Sequence, residues 1–186
     1  MPRHFPIFAL VVSLFVPLTV AAQEVRVKAE LPVLVTSSGQ SLDAFTVKTL
    51  LTRAGVANEY KNLAKVADLD KAKTLVIAFG ASVKGFGAAG ITIDTELART
   101  RDLLAAAKQK KIQVIGVHIG GAERRGGLSK DIVEMVAPAS DWLVVWDDSN
   151  GDGYFTKLAT EKKIPLTILK RPMETGTVLA AAFGKK

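Results

Sequence analysis

Residues Ile112 to Ile119, IQVIGVHI, form an apolar run that stops abruptly at Gly120-Gly121. A run of this length, with few polar interruptions and a glycine stop, reads as a central strand of a parallel sheet covered on both faces. Such a strand constrains much of the chain, because parallel neighbours need long crossover connections, usually helices. It also points to a site, since open parallel sheets bind ligands in the crevice outside the carboxyl ends of their strands. His118 lies near that end. Glu123, Arg124 and Arg125 follow in a loop that Gly126-Gly127 lead out of.

The alternation of strand and helix recurs along the chain. Leu31 to Thr36, Thr74 to Phe79, Asp141 to Trp146 and Pro165 to Leu169 read as strands, with a short one near Val56 to Tyr60. A helix is expected over about 42–54, where Val47, Leu50, Leu51 and Ala54 fall at i, i+3, i+4 and i+7 and Gly55 ends the pattern. A longer one, capped by Thr92 or Asp94, runs to about Lys110, with acids at its start and lysines at its end. Shorter helices follow over about 129–136, 154–163 and 177–183. The polar stretch 61–73 reads as a partly helical crossover, and Gly80 to Gly90 as a glycine-rich loop. The expected fold is one α/β domain, a three-layer sandwich around a mostly parallel sheet of five or six strands. It is Rossmann-like in class and flavodoxin-like in strand order, 2-1-3-4-5 with a sixth strand at the edge.

The amino terminus is of another kind. Arg3 and His4 precede an apolar run from Phe5 to Val20, broken by Pro6 and Pro17, and Val20-Ala21-Ala22 supplies small residues for cleavage. This is the pattern of a secretory signal peptide, and residues 23–186 are the expected mature domain. No stable membrane insertion is expected once it is removed. Cysteine is absent, which removes disulfides, thiolate metal sites, cysteine nucleophiles and a lipid-modified cysteine. The expected location is the periplasm, or the exterior. There the formal net charge of +7 suits small anions rather than nucleic acid. A single domain of this size also leaves room for a membrane transport or envelope protein as partner.

Several loops carry candidate chemistry. Thr36, Ser37, Ser38, Gly39 and Ser41 gather hydroxyls and backbone N–H groups between a strand and a helix. A helix amino terminus of this kind holds an anion well. The spacing of Thr36, Ser38, Gly39 and Ser41 resembles the phosphate loop of flavodoxins. A polar turn with Ser41 as helix cap is the other reading. A flavin would also need aromatic rings to stack on, and the loop after Thr74 to Phe79 offers Phe86 alone. The loop therefore argues for an anion rather than for FMN. Ser82, Lys84, Arg124 and Arg125 would complete a positive pocket, arginine being suited by its two-pronged fork. Alternatively these are solvated charges, with Glu123 pairing one arginine. His118, within an apolar strand, is either a ligand contact or acid–base group, or a hydrogen-bonded structural residue.

Asp148, Asn150, Asp152 and Gly153 match the opening of a calcium loop. The twelfth position is Ala159 instead of a bidentate glutamate, so an acidic turn capping the next helix through Asp152 is the competing reading. There is no Gly-x-Ser-x-Gly elbow, no Walker loop and no metal-ligand cluster, and nothing in the spacing of Ser38, His118 and Asp147 supports a triad.

From about Leu31 to the last helix the chain resembles a family of exported bacterial proteins catalogued as a domain of unknown function. The segments LPVLVTSSGQS, FGASVKGFGAAGI, IGVHIGGAERRGG and DGYFTKLA carry the resemblance. It implies an exported α/β domain and no activity, cofactor or catalytic residue. The expected function is non-enzymatic binding of a small anion, a carboxylate or phosphate ester, at the carboxyl edge of the sheet. A flavin-linked redox protein and a hydrolase of anionic substrates are the alternatives.

Overall fold

The structure, a computed structural model, describes residues 27–185 together with Met1. The signal-peptide expectation falls on residues 1–22 and lies outside that range. Six strands form one sheet: β1 (Val33–Ser38), β2 (Asn58–Tyr60), β3 (Thr74–Phe79), β4 (Gln113–His118), β5 (Trp142–Trp146) and β6 (Leu166–Leu169). All neighbours are parallel, in the order β2-β1-β3-β4-β5-β6. This is the expected doubly wound order with the sixth strand at the edge.

Six α-helices cover the sheet: α1 (Asp43–Arg53), α2 (Val83–Ala89), α3 (Ile93–Gln109), α4 (Ser129–Val136), α5 (Tyr154–Lys162) and α6 (Thr175–Ala182). On one face α1 and α6 bury Val47, Leu51, Leu179 and Ala180 against Val33, Val35, Val117 and Ile119. On the other, Phe86, Leu103, Ile132 and Phe155 from the remaining helices pack on Leu34, Ile77, Phe79 and Val145. The strands read as unbroken apolar runs because both of their faces are covered. Among the described residues no helix is long and apolar enough to cross a membrane.

Two local differences from the sequence expectation bear on the site. Strand β1 extends through Ser37 and Ser38, which pair with Ala78 and Phe79 of β3. These serines are therefore strand residues, and the loop begins only at Gly39. The stretch expected as a glycine-rich loop contains α2. Ser82 caps it, its Oγ accepting from the Gly85 N–H at 3.1 Å, and Gly90 closes it in the left-handed conformation, φ +64°. Gly85 and Gly87 lower the helix propensity of this segment, and packing overrides them.

Candidate functional site

The crevice at the carboxyl ends of β1, β3, β4 and β5 is filled by the chain's own side chains. After β1, Gly39 (φ +105°) turns its N–H onto Oε1 of Glu96 at 2.8 Å. The Gln40 amide donates to the same oxygen at 2.8 Å. Arg99 closes the carboxylate from the other side, Nε to Oε2 and one terminal nitrogen to Oε1, both at 2.8 Å. Glu96 is fully buried. A carboxylate from α3 thus takes the place beside the loop that an external anion was expected to occupy. Three of the loop hydroxyls are committed as well, while the Ser37 Oγ is buried without a partner. Thr36 donates to the Asn62 carbonyl, Ser38 pairs with Thr100 at 2.9 Å, and Ser41 donates to Asp43 at 2.9 Å. Thr36, Ser37 and Ser38 have no exposure. What stays open here is a pocket of about 200 Å³ lined in part by Gln40, Ser41, Tyr60 and Asn62.

The two arginines tie loops together. Arg124 donates to the Ala81 carbonyl at 2.8 Å and lies 3.8 Å from Asp43, with its methylenes laid over Gly120 and Gly80. Arg125 donates to the Ser149 carbonyl at 2.9 Å and pairs with Asp152 at 2.8 Å. Its guanidinium stands 4.5 Å from the Tyr154 ring centre and 4.7 Å from that of Phe155, within cation–π range. Asp43 and Asp152, rather than Glu123, are the acidic partners. Lys84 is exposed at the start of α2 and forms no ion pair among the described residues. The expected pocket is therefore not assembled as a set of free cations. The hydroxyls are inside, Ser82 caps a helix, and both arginines are engaged.

The three residues expected to ligate calcium are used in the same manner. Asp148 accepts from the Ala122 N–H at 2.8 Å, joining the loop after β5 to the loop after β4. Asn150 accepts from the Phe155 and Thr156 N–H groups and Asp152 from that of Tyr154, so both satisfy the first turn of α5. Among the described residues no group of three or more His, Cys, Asp or Glu is placed to hold a metal ion. Phe86, the aromatic available to a flavin ring, is buried in the core.

His118 is fully buried, edge-on to Phe79 at 5.0 Å and tilted against Phe155 at 5.3 Å. Its Nε2 contacts the Arg124 carbonyl at 3.1 Å, and Nδ1 has no partner. With the carbonyl as acceptor, Nε2 carries the proton of the neutral ring. Burial pushes its pKa down to about 4; the Arg125 charge adds to this and the bond to the Arg124 carbonyl opposes it. The unfolded imidazole, near 6.5, takes up its proton first as pH falls. The stability carried by the neutral ring is thus complete above about pH 6.5 and lost as pH drops through about 4, on the order of 3 kcal/mol. Urea midpoints of the wild type and His118→Gln, compared at pH 7 and pH 4, are expected to show a steeper loss in the wild type. Parallel profiles would reject the assignment.

Sequence reasoning missed Glu96, Arg99 and Thr100. At the start of α3 the sequence pattern reads Glu96 as an acid complementing the helix dipole. The signal that could have found it is periodicity: Glu96, Thr100, Leu103, Leu104 and Ala107 form one buried stripe of α3. A carboxylate on such a stripe needs an internal partner.

Among the described residues an open, positive groove lies at the opposite edge. A groove of about 1090 Å³ runs along the amino ends of β3 to β6, lined by Lys28, Lys73, Lys108, Lys111, Lys162 and Lys163. All six lysines are exposed. Among the described residues none of them is in an ion pair. Glu30 and Asp141 are the acids on the groove. Asp141 already accepts from the Val114 N–H at 2.8 Å. Leu104, Ile112 and Ile164 are among the groove's apolar lining residues.

The geometry defines a doubly wound α/β domain whose usual crevice is internally filled and whose amino edge is basic. The chain belongs to the family described as domain of unknown function DUF6305, whose model matches residues 30–183. No curated protein matches it. Among solved structures it is similar to a GDSL-like lipase from Bacteroides thetaiotaomicron. The TM-score is 0.37 and the identity 13%, over 81% of this chain and 83% of that one. At that level the likeness says nothing about what this chain does.

Proposed function

We propose that this is an exported, non-enzymatic protein that binds an anionic ligand in the lysine-lined groove at the amino ends of the strands. The observation that carries the reading is the cluster of six exposed lysines, unpaired among the described residues, around one cavity of about 1090 Å³. Converging charges of one sign raise the local concentration of counter-ions in such a cleft. Helix dipoles account for cations in the last turns of α3 and α5, where Lys108 and Lys162 sit. They do not account for Lys28 and Lys73, which lie outside any helix. The non-enzymatic part is supported by the other edge. Ser38 and His118 are both sealed from solvent, and Ser38 is bonded to Thr100.

Calorimetric titration of the purified protein with inorganic pyrophosphate at low salt tests the reading. Saturable binding is expected, weakened at least about tenfold by Lys73→Ala with Lys108→Ala and untouched by Lys84→Ala. Protein prepared from the envelope should begin at Gln23 by intact mass. No binding of any anion would sink the ligand assignment, and an intact mass that includes residues 1–22 would sink the assignment of a cleaved signal peptide.

A further inference from the structure

We propose that the ligand of this groove is an elongated dianion, with an anionic group at each end and an uncharged, largely apolar body. This rests on the anion-binding reading above and specifies it. The lysines are not evenly spread. Lys73 immediately precedes β3 and Lys111 lies two residues before β4, whereas Lys162 and Lys163 precede β6. Neighbouring strands lie about 4.8 Å apart, so three intervals separate β3 from β6, about 14 Å in all. The start of β5, between the two groups, carries Asp141. A compact anion centred on the groove would face that carboxylate, and one placed at either end would reach only half of the lysines. Leu104, Ile112 and Ile164 line the groove beside these lysines, which suits an apolar body rather than a uniformly charged chain.

A second observation concerns the backbone. The described residues include three non-glycine residues at positive φ: Gln40, Lys111 (φ +55°) and Lys163 (φ +57°). Two of the three are lysines of this groove, one at each end of it. Both follow helix ends, at positions where glycine is the unstrained choice. Strain held at a left-handed lysine points to a role for the side chain.

The test is calorimetric titration of the full protein with α,ω-dicarboxylates of increasing length, from succinate to dodecanedioate. Decanoate serves as the singly charged control and tripolyphosphate as the uniformly charged one. Affinity is expected to rise with length and to exceed that of decanoate and of tripolyphosphate at least about tenfold. Lys163→Gly is expected to remove that advantage, while raising Tm by about 2–4 °C as strain is released. Length-independent affinity, or tripolyphosphate binding tighter than dodecanedioate, would overturn the dianion and leave the anion groove standing. Binding to phosphatidylglycerol vesicles with none to the free dianions would overturn it too, in favour of a lipid surface. Absence of binding to every anion would overturn both.

Discussion

Replacing Glu96 by alanine is expected to destabilise the fold by about 3–5 kcal/mol, measured as a shift in urea unfolding. The carboxylate is fully buried and accepts from Gly39, Gln40 and Arg99. Removing it leaves a guanidinium, 14% exposed, without its counter-charge, along with a backbone N–H and an amide without an acceptor. The double variant Glu96→Ala with Arg99→Ala is expected to lose less than the sum of the two single losses, because each single variant strands the other's partner. A loss below about 1 kcal/mol for Glu96→Ala would mean the site relaxes or takes up water, and the account of a self-filled anion position would fail.

The second large effect is at Gly85, and its sign is unusual. Alanine normally stabilises a helix interior relative to glycine by about 0.5–1 kcal/mol. At Gly85 an added Cβ would stand 1.9 Å from the Gln40 carbonyl oxygen and 2.8 Å from its carbon, both backbone atoms. The loop after β1 cannot yield without releasing Gln40 from Glu96, so α2 must lift instead. Gly85→Ala is therefore expected to destabilise by about 2–3 kcal/mol. Gly87, two residues on in the same helix, has nothing within 4 Å of its Cβ position. Gly87→Ala is expected to stabilise by about 0.5–1 kcal/mol. Thermal unfolding of the pair separates packing from propensity. Two shifts of the same sign would show that α2 does not rest on the β1 loop as described.

The strands and their order were legible in the sequence because apolar runs such as TLVIAF and IQVIGVHI have one stable setting, a sheet covered on both faces. The start of α3 at Thr92, one of the two caps expected there, was legible for the same local reason, since a cap acts on its own turn of chain. Helix α2 was not legible, because Gly85 is there to let two backbones approach, a tertiary demand that local propensity reads as a loop. The site was legible only as a location. Hydroxyls, glycines and arginines at strand ends look the same whether they await a ligand or bind each other. What decides between the two is a residue distant in sequence: Glu96 for the β1 loop, Asp43 for Arg124 and Asp152 for Arg125. The amino-edge groove was invisible because its lysines come from four separate segments, each of which reads as ordinary solvated surface.

The strand order has a consequence for how the chain assembles. Once β1, β2 and β3 are in place, β4, β5 and β6 each add to the free edge left by the one before. A chain delivered amino end first can therefore build its sheet by accretion, no strand waiting for a partner still to come. Helix α6 breaks that rule. It returns from the last strand to lie against α1, so close that a Cβ at Gly176 would stand 2.9 Å from the Leu50 carbonyl oxygen. Leu179 and Ala180 then cover the face shared with Val47 and Leu51. The eight residues of α6 act as a latch. Until they arrive the sheet can be complete while one apolar face stays half clad, and closure of the domain belongs to the final stretch of the chain.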